Sequence, residues 1–203
     1  PPPPSPSPPP PCATVTLPTH GWQWISFNCI GNTTDTLHQV LSSANWQTDD
    51  KIMTRDPFLK LAGFDGEKFV GDLINRNQLS MSLGYKVLYT GTPGAVIEQT
   101  GLPQLPVENV MLRKGWNWIG HAPLSTYLID EIEPVVGSFS TDDQAKTRAG
   151  SNVKVGTFTG HISGGGAQWA GNLVRLTPGV GYEVKVSQVV TFCYGDLCGT
   201  TIN

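Results

Sequence analysis

Four tryptophans stand at one repeated spacing, Trp22 with Trp24 and Trp116 with Trp118. Residues two apart on a strand share a face, so each pair sets two indoles side by side. Such a pair either fills a core or stacks on sugar rings. Ile25 and Phe27 fall on the opposite side of the first pair, which makes both sides apolar. Burial on both sides is therefore the expected arrangement, with glycan stacking on exposed Trp faces as the functional alternative.

Two acidic pairs, Asp49-Asp50 and Asp142-Asp143, are the other candidates for chemistry. Hydrolytic carboxylates face each other across a substrate, roughly 5–9.5 Å apart. Neighbours on a strand point to opposite faces instead. A turn or cap with Arg55 or Arg148 as partner is the better expectation. His20, His38, His121 and His161 are scattered, and only His20 lies near a motif. No nucleophile elbow, phosphate loop or calcium loop is present. No catalytic residue, metal or cofactor is expected, and the chain is not expected to be an enzyme.

The Trp pairs belong to a duplication. Gly21-Trp22-Gln23-Trp24-Ile25 returns as Gly115-Trp116-Asn117-Trp118-Ile119. Thr48-Asp49-Asp50 returns as Thr141-Asp142-Asp143, Phe69-Val70-Gly71 as Trp169-Ala170-Gly171, and Gly84-Tyr85-Lys86-Val87 as Gly181-Tyr182-Glu183-Val184. The offsets are 94, 93, 100 and 97 residues, in one order. Two copies of one module follow.

Composition bounds the class. Charged residues are 14% of the 203, against a usual value of about 25%. With 23 Gly and 17 Pro, the chain favours strands and turns. Thirteen Lys and Arg against 16 Asp and Glu give −3, without a basic stripe along the sequence, so nucleic acid is not an expected partner. No apolar run approaches the roughly 20 residues of a membrane span. Four cysteines read as disulfides of an extracellular protein rather than a zinc site. Of three possible connectivities, adjacent pairing is expected: Cys12–Cys29 and Cys193–Cys198.

Each module reads as a β-sandwich or partly open barrel with one short helix. In the first copy strands are expected near 13–17, 22–30, 51–55, 58–61, 69–74 and 85–89. A helix capped by Asp35-Thr36 and running through Ser43 separates the first two strands from the other four. In the second copy strands are expected near 110–112, 116–121, 153–158, 169–176 and 182–190, with a helix from about Ser125 limited by Pro134. The organisation is a leader over 1–11, a module over 12–92, a linker over 93–109, a module over 110–190 and an extension bridged by cysteines over 191–203.

The leader is nine prolines and two serines, a composition that dictates polyproline II. Ser7-Pro8-Pro9-Pro10-Pro11 resembles the Ser-Pro-four unit of extensins and related hydroxyproline-rich glycoproteins of plant and green-algal walls. That resemblance implies hydroxylated, arabinosylated Pro8, Pro9, Pro10 and Pro11, and galactose on Ser5 and Ser7. Asn32-Thr33-Thr34 is an N-glycosylation sequon. The Gly-Trp-Asn-Trp-Ile opening and the Gly-x-Gly-Tyr-x-Val-Lys-Val ending resemble repeats of secreted adhesive and cell-surface proteins of bacteria and microalgae. They imply an extracellular, non-catalytic module. The expected function is a structural glycoprotein of a wall, matrix or surface filament, joined to copies of itself through its terminal extensions. The alternative is a carbohydrate-binding or adhesion module that meets matrix glycans through its Trp faces.

Overall fold

The computed structural model describes residues 12–29, 37–56, 58–75, 80–99, 109–161 and 167–194. The protein is mainly β, and each copy is a sandwich of a large and a small sheet. In the first module β2 (Gly21–Ile25), β6 (Tyr85–Tyr89), β3 (Lys51–Arg55), β4 (Leu59–Phe64) and β5 (Phe69–Val70) pair in that order. The small layer is β1 (Val15–Leu17) with β7 (Ala95–Ile97). In the second module β9 (Gly115–Gly120), β16 (Gly181–Val186), β12 (Gln144–Ala149), β13 (Asn152–His161) and β14 (Ala167–Gly171) repeat the large layer. Its small layer is β8 (Val110–Leu112), β17 (Val190–Tyr194) and β11 (Ile132–Val136).

Alternation builds a core in each copy. Ile25, Ile52, Tyr85 and Val87 turn inward from the first large sheet against Val15, Leu17 and Ile97 of the small one. Ile119, Ala145, Tyr182 and Val184 do the same against Leu112, Val190 and Phe192. The copies even exchange partners. Trp46 packs edge-on to Phe69 at 5.0 Å, and in the second module Phe139 packs on Trp169 at 5.2 Å. One Trp and one Phe fill each site, in opposite places, which preserves volume.

Several expectations are corrected. The strand expected over 69–74 ends at Val70 and gives way to helix α2 (Asp72–Asn75). The first copy keeps its expected helix as α1 (Leu37–Leu41). No α-helix starts at Ser125. That stretch is β10 (Tyr127–Leu128), a 3-10 turn over Ile129–Glu131, and then β11. Ile132, Val135 and Val136 are β-branched and favour extended backbone. The Leu128 N–H is taken by the Glu131 carboxylate at 2.7 Å, and the Ile129 N–H by the Val174 carbonyl at 3.0 Å. Strand β12 has no counterpart in the expectations, because Gln-Ala-Lys-Thr-Arg-Ala has few strand formers. Its place is set by pairing β13 and β16. The first module runs on to Ile97, because β7 pairs β1. The start of the C-terminal extension is an internal strand, since β17 is hydrogen-bonded on both sides. β7 and β17 are equivalent, so this strand belongs to the repeat.

The modules meet about a pseudo-twofold axis. Ile25 bridges Val180 and, by the same rule, Ile119 bridges Leu83. The Ser26 N–H donates to the Gly179 carbonyl at 3.0 Å, and the Gly120 N–H to the Ser82 carbonyl at 2.9 Å. Such close backbone approach needs glycine. A Cβ on Gly181 would lie 2.4 Å from the Ile25 carbonyl oxygen, and one on Gly84 would lie 2.6 Å from that of Ile119. The obstructing atoms are backbone and cannot swing away. Gly181→Ala is therefore expected to lower stability by about 2 kcal/mol or more in chemical denaturation. Gly63→Ala, whose Cβ would meet nothing nearer than 4.0 Å, is the control and should stay within about 0.5 kcal/mol of the parent.

Candidate functional site

The outer face of the joined large sheets carries the Trp pairs. Trp24 stands opposite Lys86 and Trp22 opposite Leu88, while Trp118 stands opposite Glu183 and Trp116 opposite Lys185. Opposed residues of antiparallel strands project to one side. Met53 joins the face beside Lys86, and Lys146 beside Glu183. All four tryptophans lie outside both cores: Trp22, Trp24 and Trp118 are half-buried, and Trp116 is 37% exposed. The expectation of Trp buried on both sides is thus corrected. Inward positions belong to Gln23 and Asn117, whose amides clamp the preceding turn. The Asn117 Nδ2 donates to the Arg113 carbonyl at 2.7 Å, its Oδ1 accepts the Arg113 N–H at 2.8 Å, and the Gln23 Nε2 donates to the Thr19 carbonyl.

At the axis sits a cationic and aromatic cluster. Lys86 and Glu183 occupy equivalent positions and form an ion pair. The other Glu183 oxygen takes Lys146 at 2.9 Å. The Lys86 ammonium lies 4.6 Å from the Trp24 ring centre and 4.1 Å from that of Trp118. Lys146 lies 4.0 Å from the Trp116 ring centre. Cation–π attraction adds on the order of 1 kcal/mol per contact at such partly exposed sites. Trp24 and Trp118 thereby grip one lysine between them. Trp22 is left as a groove wall, and Trp116 keeps the greatest exposure of the four. The groove beside them, about 610 Å³, is lined by Trp22, Trp24 and Trp118, by Met53, Phe58 and Leu59, and by Lys86, Arg55 and Arg148. Arg55 and Arg148 are equivalent positions, so both copies send a guanidinium to it. A second groove of about 840 Å³ continues from Arg55 and Trp118 towards Arg113, Lys114 and Trp116, with Asp56 at its rim.

The paired aspartates are structural. Asp49 and Asp142 both adopt φ 74°. Asp50 is fully buried, and its carboxylate accepts the Gln47 N–H at 2.9 Å, the Thr90 N–H at 2.8 Å and the Thr90 hydroxyl at 2.7 Å. Asp143 accepts the Ser140 and Ser187 N–H groups, each at 2.9 Å. Backbone donors thus take the place expected for arginine. Arg148 donates to the Gly150 carbonyl instead, at 2.7 Å. Cys12 and Cys29 form the expected disulfide, with Cα atoms 5.6 Å apart. Cys193 is also disulfide-bonded, and Cys198 lies outside the described residues. So do Asn32 and the leader with Ser5, Ser7 and Pro8 to Pro11. Among the described residues no three His, Cys, Asp or Glu side chains converge as a metal site.

No protein-family model, curated protein or solved structure matches the chain.

His121 is the titratable group that the sequence did not single out. It is fully buried, edge-on to Tyr194 at 5.0 Å, with its Nε2 2.7 Å from the Ser125 carbonyl. Desolvation pushes its pKa down to about 4. Burial likewise raises the Tyr182 hydroxyl, to about 12. Because the unfolded chain binds the imidazole proton more readily, His121 favours the fold above pH 6.5, and that contribution is lost as pH falls towards 4. The full loss is about 3 kcal/mol. Its counterpart in the first copy is Phe27. His121→Phe is expected to flatten the stability–pH profile between pH 4 and 6.5, as read from denaturant midpoints.

Proposed function

We propose that the chain is a non-catalytic, extracellular glycan-binding and adhesion module that works through its Trp face. The carrying observation is the partly exposed row of Trp22, Trp24, Trp118 and Trp116 along one continuous sheet face, bordering the two grooves. Indoles left outside the core at a cost in exposed apolar area suit a ligand with its own apolar faces. Pyranose rings offer C–H faces to an indole and hydroxyls to Arg55, Arg148 and Lys86. The Cys12–Cys29 disulfide supports an oxidising compartment. The buried carboxylates of Asp50 and Asp143 are spent on backbone N–H groups, which supports binding rather than hydrolysis.

The head-to-tail filament remains a proposal of lesser support. It depends on the proline leader and the end of the tail, which are outside the described residues. Residues 190–194 are paired on both edges, so this strand is not free to be donated to a neighbour.

Trp22→Ala and Trp116→Ala, probed on a glycan array, separate a binding role from a core role. Each is expected to weaken glycan binding by about tenfold while leaving the unfolding free energy within about 1 kcal/mol of the parent. Unfolding of both variants would return the indoles to a packing role.

A further inference from the structure

The outer face is basic on an acidic protein. Lys51, Arg55, Lys86, Lys146, Arg148 and Lys185 all project from it, by their register with the Trp residues and with one another. They are six of the chain's 13 Lys and Arg, in a chain of net charge −3. Against them the strands of this face set one carboxylate, Glu183, and that one is already held by Lys86 and Lys146. The positive field is therefore local, and it coincides with the aromatic row.

We infer that the ligand of the Trp face is an anionic polysaccharide, a chain of pyranose rings that carry carboxylate or sulfate groups. This inference rests on the glycan reading above and specifies its chemistry. Trp22, which holds no lysine and lines the groove, is the first stacking platform, and Trp116, the most exposed of the four although Lys146 sits on one side of its ring, is the second, in the adjoining groove. Arg55 and Arg148 answer the acid groups. A guanidinium presents a planar fork that matches a carboxylate or sulfate in two hydrogen bonds. Both line the groove, and neither is tied to a carboxylate among the described residues. The groove volume, about 610 Å³, lies in the range that holds a short run of sugar rings. Lys51 and Lys185 extend the field outward from the axis along either module.

Other occupants fit less well. A second copy placed face to face would set six cations against six. The proline leader is uncharged and would leave the arginines unanswered. A neutral glycan would use the indoles and waste the charge. A nucleic acid would match the charge, but the disulfide argues for a compartment where acidic glycans are the common polyanions.

The test is calorimetric titration of the intact protein with polygalacturonate, dextran sulfate, a neutral xylan and single-stranded DNA, at about 50 and 200 mM salt. The expected result is binding to at least one of the two acidic polysaccharides, at least about tenfold tighter than to xylan and weakened by salt. Polygalacturonate and dextran sulfate separate carboxylate from sulfate as the source of charge. The double variant Arg55→Gln with Arg148→Gln is expected to lose about tenfold or more in affinity and part of the salt slope. Lys51→Gln with Lys185→Gln, on a half-buried and an exposed side chain outside both cores, repeats the test should the arginine variant unfold. It is expected to reduce affinity and slope by smaller amounts. Xylan bound as tightly as the acidic polymers would overturn the anionic assignment and leave the glycan reading standing. Failure of every polysaccharide would overturn both, and tighter binding to DNA than to any of them would overturn the acidic-glycan assignment.

Discussion

A duplicated chain that packs on itself brings equivalent residues together at its pseudo-twofold axis. Here those residues are Lys86 and Glu183, and their opposite charge lets two titratable side chains share the junction as an ion pair. Identical ionisable residues at that point would repel, in a position where each is four-fifths or more removed from water. Lysine against glutamate turns the repulsion into attraction. Lys146 then satisfies the second carboxylate oxygen, where the first copy has Met53. Around this trio the backbone bridges at Ile25 and Ile119 repeat in mirror roles, each against a glycine of the other module. The continuous outer face exists because this junction holds two half-sheets side by side.

What the sequence made legible was the internal repeat and the strand alternation, because both are local. The offset between copies marked equivalent positions before any contact was known, and the aspartate turns, the aromatic cores and the Tyr85/Tyr182 strands all obey it. Which side the indoles take was not legible. Trp22 and Trp24 face one way and Ile25 the other, and both sets are apolar, so alternation alone gives no direction. The deciding residues are polar: Gln23 and Asn117 point inward because the turn before each strand supplies partners for their amides. A buried glutamine is a poor guess from sequence, and in the fold its Nε2 finds the Thr19 carbonyl. The helix expected at Ser125 failed for a related reason. Leu128, Ile129 and Ile132 have helical spacing, but the Leu128 and Ile129 donors are claimed by Glu131 and Val174, and Ile132 opens a strand paired with Tyr194.

The basic face was illegible for a different reason. Lys51, Arg55, Lys86, Lys146, Arg148 and Lys185 are spread over most of the chain and form no run. Sheet pairing alone gathers them. The same pairing explains why composition misled: a net negative chain of low charge density gives no hint of a cationic surface, since the acidic residues lie elsewhere. The Asp–Arg pairs expected at each turn would have consumed Arg55 and Arg148. Because backbone N–H groups satisfy Asp50 and Asp143 instead, both guanidinium groups remain available to the groove.

The face is also directional, although its scaffold is nearly symmetric. Going from one module to the other exchanges Met53 for Lys146, Leu88 for Lys185 and Lys51 for Gln144, at equivalent places on the strands. Phe58 and Leu59, 79% and 56% exposed, add apolar surface on the first module's side. Each module sends three cations to the face, Lys51, Arg55 and Lys86 from the first and Lys146, Arg148 and Lys185 from the second, but they stand at different places along the row and the first module adds apolar surface between them. A polysaccharide has two unlike ends, and a twofold-symmetric site would accept it equally well in either direction. For the proposed ligand the exchanged side chains lift that degeneracy, since reversing it would set Met53 and Leu88 where Lys146 and Lys185 had been, and Lys51 where Gln144 had been. Divergence of the two copies at these few outward positions thus makes the two halves of the face unlike, while the inward positions keep their common pattern because the core depends on it.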